Sequence, residues 1–273
     1  MPPPTSLPPV VSDQEWRAAR VELLVREKEL ARQRDAVSAA RRQLPMREVT
    51  VDYRFTGPDG EVSLADVFEG RRQLVVYHFM FQPEWDAGCP SCSFIVDGIG
   101  HLAHLHARDT TLALISRAPY PQLAAYRERM GWAVPWYSSA RSSFNYDFHV
   151  TVDSTVAPVE YNFRDEQQLL ETEGESWRDW AGDMPGISTF LRDGDRVFHT
   201  YSTYARGLDA LMGTYNWMDL TVLGRQEDWE EPPGRSDGPA MHWLRRHDEY
   251  GDRREEIARA EEPARVTDAA SSS

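Results

Sequence analysis

Apolar positions along the chain change their spacing near residue 46. Before that point, apolar residues recur every seven positions, at Trp16, Leu23, Leu30, Val37 and Leu44. This pattern, with charged residues on the opposite face, predicts a helix over 12–45 that opens with a capping box of Ser12 and Glu15. Arg26 and Gln33 interrupt the second apolar seam, which disfavours a long coiled coil. We expect the helix to pack on its own domain, with a homodimer through this helix as the alternative.

Strands and helices alternate between residues 46 and 223. The apolar run 73–81 predicts a strand buried on both faces of a parallel sheet, and the run 110–116 predicts its neighbour. A helix is expected between them, over 93–107, and another over 121–130. Strand–helix–strand order predicts a layered α/β domain with right-handed crossovers.

The remaining segments divide the chain further. Residues 140–183 are less regular and acidic, which predicts an insertion packed against the core. Two β-strand patterns then flank Asp193 and Gly194, which is typical of a β-hairpin. A charged C-terminal extension is expected over 224–263. Disorder is expected over 1–11, which is rich in proline, and over 264–273.

Composition excludes several classes of partner. The 273 residues are 41% hydrophobic and 11% aromatic, as expected for a folded globular protein, and carry a formal net charge of −14. This charge disfavours nucleic acid and anionic membranes as partners. The chain has no basic-plus-apolar leader and no apolar run long enough to span a bilayer, so we expect a cytoplasmic protein.

The two cysteines are the main chemical signal. Cys89 and Cys92 lie three positions apart in the run Cys-Pro-Ser-Cys, so a disulfide scaffold is excluded. The motif follows a buried strand and begins a predicted helix, where unpaired N–H groups and the helix dipole favour a thiolate. Pro90 suits the first helical position. We predict that Cys89 attacks and that Cys92 resolves, with no cofactor required.

A metal site is the alternative use of the two thiolates. Soft thiolates select ions such as copper, and His78 on the preceding strand is the best candidate for a third ligand. His101 and His104 are predicted to be surface residues, because one continuous helix would carry His101 about 18 Å away from Cys89. A hydrogen-bonded core histidine is the more ordinary interpretation of His78.

Several longer motifs carry a resemblance to a known family. They are Phe79 to Phe94, Ser116-Arg117-Ala118-Pro119, Arg129-Met130-Gly131-Trp132, Phe144-Asn145-Tyr146-Asp147-Phe148 and Val197 to Gly207. Over roughly residues 12 to 250 the chain resembles the thioredoxin-like proteins of domain-of-unknown-function family 899. The resemblance implies a thioredoxin-like fold with peroxiredoxin-like elaboration, in which helices flank a central sheet. It implies no particular reaction.

The resemblance also implies a role for Pro185. In redox domains of thioredoxin type, a cis proline before the third main strand faces the cysteine pair, and Pro185 directly precedes the first hairpin strand. Trp85, Tyr201, Tyr204 and Arg206 are candidates for lining a substrate groove beside it. For the two tyrosines, packing against Phe144, Tyr146 and Phe148 is an equal alternative.

The sequence departs from two related redox families at positions next to Cys89. Gly88 stands where thioredoxins place tryptophan, and Asp86 stands where peroxiredoxins need threonine, so peroxidase activity of the usual kind is not expected. The carboxylates of Glu84 and Asp86 predict a Cys89 thiol less acidic than that of an ordinary thioredoxin.

Three functions follow from these patterns. The first is a thiol–disulfide oxidoreductase acting on a protein or small-molecule thiol or disulfide. The second is a protein or enzyme that binds copper or another soft metal. The third is a partner-binding module that retains the thioredoxin fold.

Overall fold

The helices and strands of the described chain lie between Asp13 and Glu249. A computed structural model describes residues 7–174, 177–231 and 238–251. The helices are α1 (Asp13–Arg41), α2 (Leu64–Val67), α3 (Pro90–Asp97), α4 (Ala103–His106), α5 (Tyr120–Arg129), α6 (Phe144–Asp147), α7 (Glu166–Glu173) and α8 (Gly213–Met218), with 3-10 turns at Trp177–Asp179, Ala205–Leu211 and His247–Glu249. The strands are β1 (Arg47–Glu48), β2 (Arg54–Gly57), β3 (Gly60–Ser63), β4 (Gln73–His78), β5 (Thr110–Ser116), β6 (Trp136–Ser138), β7 (Thr151–Val152), β8 (Glu160–Tyr161), β9 (Arg164–Asp165), β10 (Gly182–Asp183), β11 (Gly186–Asp193) and β12 (Arg196–Tyr204).

A mixed eight-stranded sheet forms the centre of the molecule. Its strand order is β1-β12-β11-β4-β5-β6-β2-β3. Strands β4, β5 and β6 are parallel, whereas β11 pairs antiparallel with both β4 and β12. A parallel β4–β5 unit beside an antiparallel β11–β12 hairpin is the thioredoxin-like arrangement, so the α/β fold class expected from the sequence is confirmed.

Two apolar cores cover the two faces of this sheet. Side chains alternate between the faces along each strand. Leu74 and Val76 of β4 therefore enter one cluster, the far core, together with Phe144, Phe148 and Phe190. The other cluster, the cysteine-side core, contains Tyr77, Phe79, Cys92, Leu114 and Ile187. Burial on both faces explains the near-continuous apolar sequence of β4 and β5.

Helix α1 is present but does not pack on the domain. The capping box predicted at Ser12 and Glu15 forms, yet no residue of α1 is buried and Trp16 keeps 60% of its surface exposed. The prediction that the helix packs on its own domain is therefore wrong. Arg41, at its C-terminal end, stacks over the ring of Tyr201 at 5.3 Å. None of the described helices has both the length and the apolar composition needed to cross a bilayer.

The segment expected to form one helix over 93–107 contains two. Helix α3 ends at Asp97, and α4 begins at Ala103. Gly98 and Gly100 lower the helical propensity between them, and a Cβ at Gly98 would lie 3.4 Å from the backbone nitrogen of Gly213. The break between the two helices therefore coincides with a close contact to the backbone of Gly213.

The other predicted segments lie partly inside the described chain. Residues 140–183 carry α6, α7 and the short strands β7 to β10, and Phe144, Phe148 and Leu169 from this segment are buried in the far core. Residues 7–11 carry neither helix nor strand. Residues 1–6 and 264–273, expected to be disordered, lie outside the described residues, as does part of the extension over 224–263.

Candidate active site

The start of α3 holds Cys89 in a fixed position. Cys89 caps the helix, with Pro90 at the first helical position as predicted. Its N–H donates to the Met80 carbonyl at 3.1 Å, which ties the helix start to the residues that follow β4. Its carbonyl accepts both the N–H and the hydroxyl of Ser93 at 2.9 Å. The Ser93 hydroxyl is in turn 3.0 Å from that of Tyr126, so the first turn of α3 is anchored to α5.

The two thiols are free and differ in their surroundings. Cys89 is half-buried, whereas Cys92 is 1% exposed within the cysteine-side core. The Cys92 thiol donates toward Cys89, and with the N–H groups of Cys92 and Ser91 it lowers the pKa of Cys89 from about 9 to about 6, against the opposing effect of burial. Burial, followed by the neighbouring Cys89, raises the pKa of Cys92 well above its usual value. The Cys89 thiol therefore ionises readily, whereas the Cys92 thiol keeps its proton.

The expectation of a weakly acidic Cys89 is wrong. That expectation came from the carboxylates of Glu84 and Asp86. The Cys92 thiol and the N–H groups of Cys92 and Ser91 lower the pKa of Cys89 by more than burial raises it.

Gly88 has a steric reason to be glycine. A Cβ at this position would lie 2.6 Å from the Phe79 ring and 2.9 Å from the Tyr126 ring. Two aromatic residues of the cysteine-side core therefore occupy the space that a tryptophan side chain would need. The departure from the thioredoxin pattern is built into the core.

Arg246 reaches the cysteine loop, residues 79–89, from the C-terminal extension. Its Nε and Nη2 atoms donate to the Gly88 carbonyl at 2.9 and 2.7 Å. Leu244, close to it in sequence, is buried against Phe94 of α3 and Tyr215 of α8. Sequence analysis missed this contact, because nothing in the local pattern around Arg246 links it to a residue 158 positions away.

Pro185 lies at the beginning of β11, beside the end of β4. Gly186 pairs with His78, and Ile187 pairs with Tyr77 in the cysteine-side core. The Pro185 carbonyl accepts a hydrogen bond of 3.0 Å from the Tyr161 hydroxyl. Burial, with a contribution from Cys92, raises the pKa of this tyrosine. Tyr161 therefore holds the Pro185 carbonyl, while its ring packs in the far core.

A buried ion pair holds the residues that precede Pro185. The Asp183 Oδ1 atom accepts from Arg117 Nε at 2.6 Å and from the Thr151 hydroxyl at 2.7 Å. Burial raises the pKa of Asp183, and Arg117 opposes that shift. Arg117 follows β5, so the pair joins the Pro185 segment to the end of the sheet where the cysteine loop lies. The motif containing Arg117 was noticed in the sequence, but its partner was not.

The four groove candidates have different environments. Trp85 packs against the cysteine-side core, and its carbonyl accepts a hydrogen bond from Gln122. Tyr201 is half-buried beneath Arg41. Arg206 is exposed and stacks on the ring of Trp229 at 4.8 Å.

Tyr204 packs against the aromatic residues of the core, which was the alternative to a place in the substrate groove. It is 4% exposed within the far core, and its hydroxyl donates to the Phe148 carbonyl at 2.9 Å. Its side chain is therefore not available to a groove beside Pro185. Trp85, Tyr201 and Arg206 stay predictions.

His78 does not join the cysteines. Its ring faces the far core, stacked 6.0 Å from Phe148, while Cys92 lies on the other side of the sheet. Its Nε2 atom is 2.8 Å from the Ser188 hydroxyl, and burial lowers the pKa of His78 to about 3. The metal site with Cys89, Cys92 and His78 as ligands is therefore wrong, because side chains on opposite faces of a sheet cannot share one ion.

The other histidines give no metal site within the described ranges. His101 accepts a hydrogen bond of 3.1 Å from the Ala103 N–H at the start of α4. His101 does not lie on the same helix as Cys89, because α3 ends at Asp97. Among residues 7–174, 177–231 and 238–251, no group of three His, Cys, Asp or Glu side chains is arranged to hold a metal ion.

The fold and the site together define a thioredoxin-fold protein with a Cys-x-x-Cys pair at the start of α3, the helix that follows β4. The profile of a family described as "Bacterial protein of unknown function (DUF899)" matches residues 5–250. The chain belongs to this family, as the sequence motifs indicated. Comparison with curated proteins gave no match.

Solved structures of peroxiredoxins are similar to part of the chain. Xanthomonas campestris Peroxiredoxin Q is 12% identical, covers 63% of this chain and 95% of its own, and has a TM-score of 0.40. Peroxidoxin BcpB from Mycobacterium tuberculosis is 16% identical, covers 63% and 95%, and has a TM-score of 0.38.

Proposed function

We propose that the protein is a thiol–disulfide oxidoreductase. The observation that carries this proposal is the unequal pair at the start of α3. Cys89 is half-buried with a lowered pKa, and Cys92 is fully buried with a raised pKa. A nucleophile needs to be ionised and accessible, whereas a resolving thiol needs to stay protonated until a mixed disulfide has formed.

The reaction has two exchange steps. The Cys89 thiolate attacks a substrate disulfide, forming a mixed disulfide and releasing the first substrate sulfur as a thiolate. Cys92 then loses its proton and attacks the Cys89 sulfur, which releases the second substrate thiolate and leaves a Cys89–Cys92 disulfide. The substrate gains two electrons, and an external dithiol reductant must return them to the protein. A sulfenic acid substrate enters by the same first step, with hydroxide as the leaving group.

We propose a protein or small-molecule thiol or disulfide as the partner. No step requires a cofactor. The exposed Arg206 and the half-buried Trp85 and Tyr201 are the proposed groove residues, with Pro185 as the proposed contact opposite the cysteines. The net charge of −14 disfavours nucleic acid and anionic membranes. We propose a cytoplasmic location, where thiol reductants can regenerate the pair.

Thiol titration combined with redox equilibration tests the proposal. In glutathione buffers of graded ratio, two thiols per chain should disappear and return together as a two-electron couple. Disulfide reductase activity should vanish in Cys89→Ser, while Cys92→Ser should accumulate the mixed disulfide. Full activity in Cys89→Ser, or the absence of a reversible couple, would contradict the proposal. Stoichiometric metal that is lost in the double serine variant would support the copper alternative instead.

A further inference from the structure

Tyr77 is a buried titratable residue with no assigned role. It lies on β4 and is 1% exposed within the cysteine-side core. Within the part of the chain that the structure describes, its hydroxyl has no hydrogen-bond partner. Buried hydroxyl groups nearly always have such a partner, so an exception calls for an explanation.

The resolving cysteine belongs to the same buried cluster as Tyr77, and the two side chains affect each other's ionisation. The Met80 N–H donates to the Cys92 sulfur at 3.4 Å. The sulfur therefore already has one backbone donor, and the unpartnered Tyr77 hydroxyl is a second donor within the same cluster.

We infer that Tyr77 is a catalytic residue that stabilises the Cys92 thiolate in the resolving step. The inference rests on the proposed thiol–disulfide function. When Cys92 loses its proton, its sulfur becomes a buried anion, and the unpartnered hydroxyl of the same cluster lowers the cost of that charge by donating to it. The hydroxyl proton stays on Tyr77 throughout, because burial holds the pKa of this phenol far above neutral.

The proton and electrons balance as follows. The Cys92 proton passes to the substrate thiolate that was released in the first step. The Cys92 sulfur, hydrogen-bonded to Tyr77, forms a bond to the Cys89 sulfur while the bond between Cys89 and the substrate breaks. The electron pair leaves on the second substrate sulfur. Tyr77 returns to its unpaired state when the Cys89–Cys92 disulfide has formed.

A purely structural role predicts a different outcome. The aromatic ring fills the core and packs edge-on against Phe79 at 6.2 Å. Tyr77→Phe keeps that ring and removes a hydroxyl that has no hydrogen-bond partner in the described part of the chain, so the variant should be at least as stable as the parent. Any slowing of one chemical step in a fully folded variant then belongs to the hydroxyl.

The test uses a chromogenic aromatic disulfide that releases a coloured thiolate at each step. The reduced full-length protein should give a first phase from Cys89 attack and a second phase from Cys92 attack. Tyr77→Phe should leave the first phase unchanged and slow the second about tenfold or more, the loss expected for one hydrogen bond to a charged group. The pH midpoint of the second phase should also rise. Tyr137→Phe, a buried tyrosine of the far core, is the matched control and should leave both phases unchanged.

The outcomes separate this inference from the function on which it rests. A normal first phase with an unaltered second phase in Tyr77→Phe would overturn the role of Tyr77 alone. Absence of both phases in the parent protein would overturn the proposed function. Should Tyr77→Phe not fold, 3-fluorotyrosine at position 77 supplies a more acidic donor of nearly the same size. It should speed the second phase, and no acceleration would overturn the inference.

Discussion

The acidity of Cys89 gives the most direct test of the site. Its pKa of about 6, against about 9 for an unperturbed thiol, corresponds to roughly 4 kcal/mol in favour of the thiolate. At pH 7 the thiolate fraction should be about 90% rather than about 1%, a gain of about 90-fold. Lower basicity reduces the intrinsic nucleophilicity by about 15- to 30-fold, so the net gain in alkylation rate at pH 7 is only about three- to sixfold. The informative quantity is therefore the pH midpoint and not the rate.

Iodoacetamide alkylation followed by mass spectrometry across pH 4 to 10 measures that midpoint, because Cys92 is buried and reacts slowly. The rate should rise with pH and level off above about 6. Cys92→Ala removes the largest cause of the shift and should raise the midpoint by at least about one pH unit. Cys92→Ser keeps a hydroxyl donor and should hold the midpoint near that of the parent. A parent midpoint above 8, or equal midpoints in the alanine and serine variants, would refute the argument.

Three further predictions concern the surroundings of the site. Arg246→Met should cost about 2 kcal/mol of protection against hydrogen exchange at the start of α3, because two charge-assisted hydrogen bonds to Gly88 are lost. The control is Arg245→Met, which should not reduce this protection because the Arg245 guanidinium contacts carbonyls of its own segment. Equal losses in the two variants would contradict the role of Arg246. Because burial favours the neutral form of His78, the free energy of unfolding in urea should fall as the pH drops from about 6.5 toward 3. His78→Asn should reduce the slope of this free energy against pH by about one proton, or 1.4 kcal/mol per pH unit. An unchanged slope would argue against a neutral buried ring. Removing residues 1–44 should convert a dimer into a monomer with the same redox couple, as measured by light scattering and thiol titration; a monomeric full-length chain would exclude pairing through α1.

Local sequence signals predicted the local features well. The capping box at Ser12, the proline at the start of α3 and the strand over 110–116 each depend on residues close together in sequence. Even the break after Asp97 had a local signal in two glycines.

Long-range features were outside the reach of those signals. The contact from Arg246 to Gly88 and the pairing of Arg117 with Asp183 depend on the tertiary fold. The face on which His78 lies depends on the strand register, which one residue of uncertainty reverses. For helix α1 the sequence predicted an apolar face but could not identify the surface on which that face packs.

The contact between Arg246 and Gly88 also has a consequence for the order in which the molecule is made. The sheet ends at Tyr204, so synthesis from the N-terminus completes every strand about 42 residues before Arg246 is added. At about 5 to 20 residues per second, that interval lasts roughly 2 to 8 seconds. A nascent chain can therefore have a folded sheet and an ionisable Cys89 while the Gly88 carbonyl still lacks its arginine. During that interval the loop before Cys89 lacks the two hydrogen bonds by which Arg246 holds the Gly88 carbonyl in the finished protein.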